Sequence, residues 1–184
     1  MLFFRFCFIV FAALCLTQRI SEAKRHKKTK GKIFAEWSLV AMVFVHFFFL
    51  FGSVIELFYL NYLYLVVVVI GIIMFCAGFF LRKWVINTLG QYWSLNVEIR
   101  EDHKLITNGP YALCRHPNYL AILLEVMGFA LIANAYLTLL VGIIFYSVVL
   151  FLRIKAEENA MIKKFQQTYL SYKQKTATLL PYIF

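Results

Sequence analysis

Cysteine is scarce in this chain, acidic side chains are few, and repeats are missing. The four cysteines are Cys7, Cys15, Cys76 and Cys114. Their spacing suggests neither a metal centre nor a disulfide framework, and no metal site is expected. With no internal repeat and no low-complexity linker, the 184 residues read as one compact unit. Nine acidic residues stand against nineteen Lys and Arg, a formal charge of +10. Apolar residues, by contrast, make up 62% of the chain, and the mean hydropathy is +0.76. A soluble core cannot use that much apolar surface, so the chain is expected to be an integral, multi-pass membrane protein. In such a protein the basic excess fits topology signals and anionic lipid headgroups better than nucleic acid.

Residues 2–18 form an apolar run whose single charge is Arg5. The run fits a first membrane helix or a signal peptide. Its charge-poor start and long apolar stretch favour a retained helix with its N-terminus outside. Residues 19–32 carry Arg19, Lys24, Arg25, Lys27, Lys28, Lys30 and Lys32, which predicts a basic cytoplasmic loop. Runs 33–51 and 57–81 follow as second and third spans, joined by Gly52-Ser53-Val54-Ile55-Glu56 as a short outside turn. His46 and Asn61 are polar residues in this region, suited to interhelical bonding or to function. Residues 1–82 thus form an N-terminal group of three helices.

Residues 83–184 form the second part. A long connection, rich in aromatic and polar residues, leads to Pro117, which suits a first helical position. Runs 120–132 and 136–152 are joined by Ala133-Asn134-Ala135 and predict a tight hairpin over 117–152. Beyond Arg153 the pattern turns amphipathic, with Met161, Ile162, Phe165 and Tyr169 at helical spacing. The last residues, Leu179 through Phe184, are apolar enough to tuck back. The expected fold is an all-α membrane bundle of about five spanning helices, with a cytoplasmic cofactor-binding loop and a C-terminal amphipathic helix.

Two polar clusters converge on this plan. One is the mouth of the fourth run, where unpaired N–H groups attract anions. The other is Arg153 with Glu157 and Glu158. The hairpin makes them neighbours. Arg153 and Glu157, four residues apart, share a helix face, as a local ion pair or as part of a site. Glu125 lies about 12 Å along its helix from Pro117. It shares a face with Asn118, Ala121 and Ile122, so it must face the bundle and find a partner there or serve a pocket. Cys114 beside Arg115 is an inert small residue or a reactive thiol.

From His103 onward the chain resembles the isoprenylcysteine carboxyl methyltransferase family. The resemblance rests on His103-Lys104-Leu105-Ile106-Thr107, Gly109, Tyr111, and Arg115-His116-Pro117-Asn118-Tyr119. It continues through Arg153, Glu157-Glu158, Phe165, Tyr169, Tyr172 and Leu180-Pro181. It implies S-adenosylmethionine as methyl donor at the cytoplasmic face. The family's cofactor contacts fall on Asn96, His103, Lys104, Leu105, Ile106, Tyr111, His116, Pro117, Asn118 and Tyr119. Its catalytic and substrate-binding pair falls on Arg153 and Glu157. The family usually has Gly where this chain has Ala121 and Gln166, and often a longer amide where it has Asn96. Ala121 would narrow cofactor or lipid access.

The implied reaction is O-methylation of a prenylcysteine-like or other lipid-like carboxylate that enters from the bilayer. A carboxylate is already ionised at neutral pH and needs alignment rather than a strong base. The membrane would be the inner or plasma membrane in a bacterium and the endoplasmic reticulum in a eukaryote. Other readings are N-methylation of a phospholipid amine, where Glu157 or His116 would take a proton, a nicotinamide-dependent sterol-reductase-like enzyme, and a non-enzymatic scaffold.

Overall fold

Long apolar runs become helices because an apolar layer leaves the backbone no partner but itself. The computed structural model describes residues 1–25, 31–60 and 62–180. In it α1 spans Leu2–Arg25, α2 Glu36–Tyr59, α3 Leu65–Leu89, α4 Pro117–Ile132 and α5 Tyr136–Phe165. A short α6, Gln167–Lys175, follows. Lys27, Lys28, Lys30, Asn61 and residues 181–184, with the expected tuck of the chain end, lie outside the described residues.

Four of these helices, α1, α2, α3 and α5, are long and apolar enough to cross a membrane. The expected fifth span, α4, is apolar but has 16 residues. That is about 24 Å of helix against about 30 Å of hydrocarbon.

Several expected boundaries move. The turn expected at residues 52–56 is helical, because α2 continues to Tyr59 and α3 starts at Leu65. Tertiary contacts explain the extension. Gly52 faces Thr138 so closely that a Cβ there would lie 2.8 Å from the Thr138 hydroxyl. One turn on, the Glu56 carboxylate accepts the backbone N–H groups of Leu137 and Thr138, each at 2.9 Å, and the Thr138 hydroxyl at 2.8 Å. It therefore caps the N-terminus of α5, where a negative charge is stabilising. Arg19 and Lys24, expected in a loop, belong to α1. Arg82 and Lys83 are likewise inside α3.

The fold is also not purely helical. Two three-residue strands, β1 at Lys32–Phe34 and β2 at Val97–Ile99, pair antiparallel with Ile33 opposite Glu98. Each is too short for an alternating pattern to stand out in the sequence. Their pairing brings the connection before α4 back across the start of α2.

The 117–152 hairpin forms, but α4 packs mainly along α3 rather than along α5. Glycine makes this possible. A Cβ on Gly78 would lie 2.6 Å from the Ala121 carbonyl, and one on Gly128 would lie 2.6 Å from the Phe75 nitrogen. Small residues let two apolar helices approach this closely. The hairpin turn uses Asn134 in the left-handed region, at φ 56°, which asparagine tolerates. Its side-chain oxygen accepts the Tyr64 N–H at 2.8 Å and so ties the α2–α3 reversal to the α4–α5 turn. α1 packs through Phe8 and Phe11 onto Phe129 of α4, with ring centroids 4.9 and 5.7 Å apart.

Candidate functional site

The segment before α4 is held by the chain's end. The Arg115 and His116 backbone N–H groups donate to the Ala177 and Thr178 carbonyls at 2.8 and 3.1 Å. The Arg115 guanidinium donates to the Lys173 carbonyl at 2.9 Å, to the Thr176 carbonyl, to the Thr178 hydroxyl at 2.8 Å and to Glu158 at 2.8 Å. Arg115 is thus a clamp on the C-terminal segment. Cys114 beside it is buried. Burial also pushes its thiol pKa up, so it is the inert residue rather than the reactive one.

The expected helix mouth offers less to an anion than its sequence suggests. Pro117 has no N–H. Those of Tyr119 and Leu120 are already spent on the His116 carbonyl at 3.1 and 3.2 Å. The side chains carry the chemistry instead. His116 is buried between two carboxylates, its Nε2 3.4 Å from Glu158 Oε1 and its Nδ1 3.8 Å from Glu157 Oε2. It stacks on Tyr119 with centroids 5.5 Å apart and planes 16° from parallel. Lys173 pairs with Glu158 as well.

Arg153 and Glu157 are joined through a third residue. Arg153 Nε donates to the Tyr119 hydroxyl at 2.8 Å, and that hydroxyl donates to Glu157. Arg153 also donates through Nη1 to the Ser38 hydroxyl at 2.8 Å and through Nη2 to the Leu95 carbonyl at 2.5 Å. It is buried, so three elements hold its guanidinium in one plane. Of its five N–H groups, two are not used by these bonds.

Two cavities meet at this point. A polar one is lined by Asn96, His103, Leu105, Ile106, Tyr111, His116, Asn118, Tyr119, Arg153 and Glu157. An apolar one of about 340 Å³ lies among α1, α2 and α4 and is lined by residues such as Met42, Phe47, Leu50 and Phe129. Trp93, Ser94, Asn118, Tyr119 and Arg153 belong to both walls. Of the residues expected at the site, Lys104 is exposed and Pro117 buried, and neither lines a cavity. Ala121 is fully buried against α3 and also lines neither, so it does not narrow access.

In the polar cavity His103 stacks on Tyr92 at 4.8 Å, and its Nδ1 has no hydrogen-bond partner among the described residues. Burial, and next Arg100, push its pKa below the ordinary value, against Asp102, Glu157 and Glu98. Burial pushes the Tyr111 hydroxyl up, so it stays protonated. Asn118 Oδ1, at the junction of the two cavities, is buried with no hydrogen-bond partner among the described residues. Ser38, Trp93, Ser94, Tyr169 and Tyr172 line or brace the site and were not foreseen. Tyr172 donates to the Tyr111 carbonyl at 2.6 Å. Only Tyr169 and Tyr172, as matches to the family pattern, carried a signal in the sequence. Among the described residues no cluster of His, Cys, Asp and Glu could hold a metal.

Comparison with known proteins bears on this geometry. The model of the isoprenylcysteine carboxyl methyltransferase family matches residues 69–163. A protein-S-isoprenylcysteine O-methyltransferase of Xenopus laevis is 38% identical over 119 residues, covering 62% of this chain and 41% of that protein. An uncharacterized protein of Haemophilus influenzae is 30% identical over 154 residues, covering 81% of this chain and 90% of its own length. The solved structure of a eukaryotic intramembrane Ras methyltransferase superposes with a TM-score of 0.67 at 28% identity. It covers 75% of this chain and 52% of that one. The chain spans about half the length of the curated isoprenylcysteine methyltransferases it matches.

Proposed function

This chain belongs to the isoprenylcysteine carboxyl methyltransferase family, and from that premise we propose that it methylates the carboxylate of a lipid-like acceptor, with S-adenosylmethionine as donor. The observation that carries the reading is the junction of a polar and an apolar cavity at Tyr119, Asn118 and Arg153. A reaction between a water-soluble donor and a membrane-borne acceptor needs two such rooms with one shared wall.

The residues of the polar cavity fit the donor's chemistry. His103 Nδ1 and Asn118 Oδ1 are buried polar atoms in want of partners. Tyr111, His116 and Tyr119 supply flat faces, and Glu157 supplies the negative charge that a sulfonium favours. When bound, S-adenosylmethionine brings an electrophilic methyl on a positively charged sulfur. Asn96, His103, Leu105, Ile106, Tyr111, His116, Asn118 and Tyr119 would hold it, with Lys104 and Pro117 shaping the loop outside the cavity.

Arg153, already fixed by Tyr119, Ser38 and Leu95, presents its two remaining N–H groups to the acceptor carboxylate. Glu157, through Tyr119, keeps the guanidinium plane from turning. The acceptor oxygen is ionised at pH 7 and surrenders no proton. The protein's contribution is therefore alignment and exclusion of water. The apolar cavity admits the acceptor's tail from the bilayer while its head stays at the rim. A cytoplasmic rim is supported by the basic residues at this end of α3 and α5, Lys83, Lys163 and Lys164 among them. The spanning set includes α4 as a short fifth element.

The test is methyl uptake from labelled S-adenosylmethionine by the purified protein. The acceptors are a panel of prenylcysteine analogues, long-chain carboxylates and aminolipids. Carboxylates, and not amines, become methylated. Uptake by amines alone, or binding of NADPH in place of S-adenosylmethionine, overturns the reading.

A further inference from the structure

The wall of the apolar cavity carries charges that a plain hydrocarbon tail does not need. Arg19 of α1 pairs with Glu22 at 3.4 Å and with Glu125 of α4. Glu22 in turn accepts from Arg82 of α3 at 2.8 Å. All four side chains line the cavity. Arg82 is 5% exposed and Glu125 2%. Charges inside an apolar layer are costly and occur where they pair or serve function.

Pairing alone leaves this set incomplete. Among the described residues Arg82 Nε and Nη1 have no hydrogen-bond partner, and neither has Glu125 Oε1. Two arginines and two glutamates sum to no net charge, so the cluster has no surplus with which to draw an ion. What remains unmet is a set of donors on Arg82 and an acceptor on Glu125. The complementary ligand group both accepts and donates and carries no charge, as a hydroxyl or an amide does.

Its position along the acceptor follows from the helix. Glu125 is six residues beyond Tyr119 on α4, about 9 Å at 1.5 Å per residue. Tyr119 marks the reacting end, because Arg153 bonds to its hydroxyl. We infer that the apolar cavity takes an acceptor whose tail bears an uncharged hydroxyl- or amide-type group several carbons from the carboxylate, held between Arg82 and Glu125. This rests on the carboxylate-methylation reading and narrows its substrate class.

The experiment compares long-chain carboxylates that differ only in a hydroxyl, moved carbon by carbon along the tail. The full-length protein is supplied with labelled S-adenosylmethionine. One hydroxyl position raises kcat/KM over the plain chain by at least about tenfold, chiefly through KM. The ratio falls toward unity in Arg82→Met and in Glu125→Leu. Because each ratio compares two acceptors in one preparation, a partial loss of folding cancels. Should a variant fail to fold, the scan on the unaltered protein still decides. Equal kcat/KM at every position, or a preference that both variants keep, overturns the inference and leaves carboxylate methylation standing. A second arm needs no turnover. The methyl esters of the plain and hydroxylated chains are compared for thermal stabilisation of the protein. The hydroxylated ester stabilises more, and equal shifts overturn the inference even where no carboxylate is methylated, an outcome that sinks the activity itself.

Discussion

A single hydroxyl joins the two residues proposed to face the acceptor, Arg153 and Glu157. Arg153 and Glu157 sit four apart on α5, which the sequence makes plain. Their link through Tyr119 depends on how α4 and α5 are phased, and no spacing reveals that. Removing the hydroxyl with Tyr119→Phe lowers kcat by about 10–100-fold, since a misplaced guanidinium loses alignment. Affinity for S-adenosylmethionine changes far less, and labelled methyl transfer beside a binding isotherm separates the two effects. His103 gives a pH signature. Its folded-state pKa lies below the ordinary value, so the unfolded chain takes up the proton first. The stability that this neutral histidine contributes is present above about pH 6.5 and declines as the pH falls below it. Thermal unfolding followed from about pH 7.5 to 5.5 shows a decline that His103→Gln reduces. Arg115, a residue of the Arg115-His116-Pro117 motif, is the clasp on residues 173–178.

At the scale of elements, the break between α5 and α6 shows why a family preference exists. Gln166 adopts φ 47°, ψ −124°, a backbone that glycine enters freely and a residue with a Cβ resists. Gln166→Gly should therefore relieve strain and stabilise the fold by about 1 kcal/mol, read as a raised midpoint of thermal unfolding. The helices themselves were legible, because long apolar runs leave little choice. Their ends were less so. Gly52-Ser53 resembles a turn until Thr138 and the N-terminus of α5 are set against it, and Glu56 resembles a loop acid until it caps that helix. The two strands escaped notice because three residues cannot display a period, and their pairing is a contact between segments more than sixty residues apart.

For the whole molecule, the two cavities differ in readiness. The apolar one is open at about 340 Å³, whereas the polar one encloses about 100 Å³. That is room for a few waters and not for a nucleoside joined to an amino acid. On the proposed reading, binding of S-adenosylmethionine widens this cavity and shifts the residues 90–106 at its wall. Hydrogen exchange measures this. Amides of residues 94–106 gain protection on addition of S-adenosylmethionine, while those of α3 and α4 do not change. Exchange that stays the same throughout the segment would show a rigid wall. The membrane character follows from hydropathy, whereas the expected boundary at residues 82/83 falls inside α3. The meeting of the cavities does not follow from hydropathy, because the Leu95 carbonyl that Arg153 bonds lies next to β2, whose pairing with β1 joins distant segments.

The pairing of Arg19 with Glu125 has a consequence for how the protein is made. These residues stand 106 positions apart, so the ribosome delivers the arginine well before its carboxylate. During that interval the nascent α1 holds a charge at the edge of the bilayer with only Glu22 beside it, a poor candidate for early release into lipid. Final seating of α1 must wait until α4 has emerged, so a helix made before α4 settles after it.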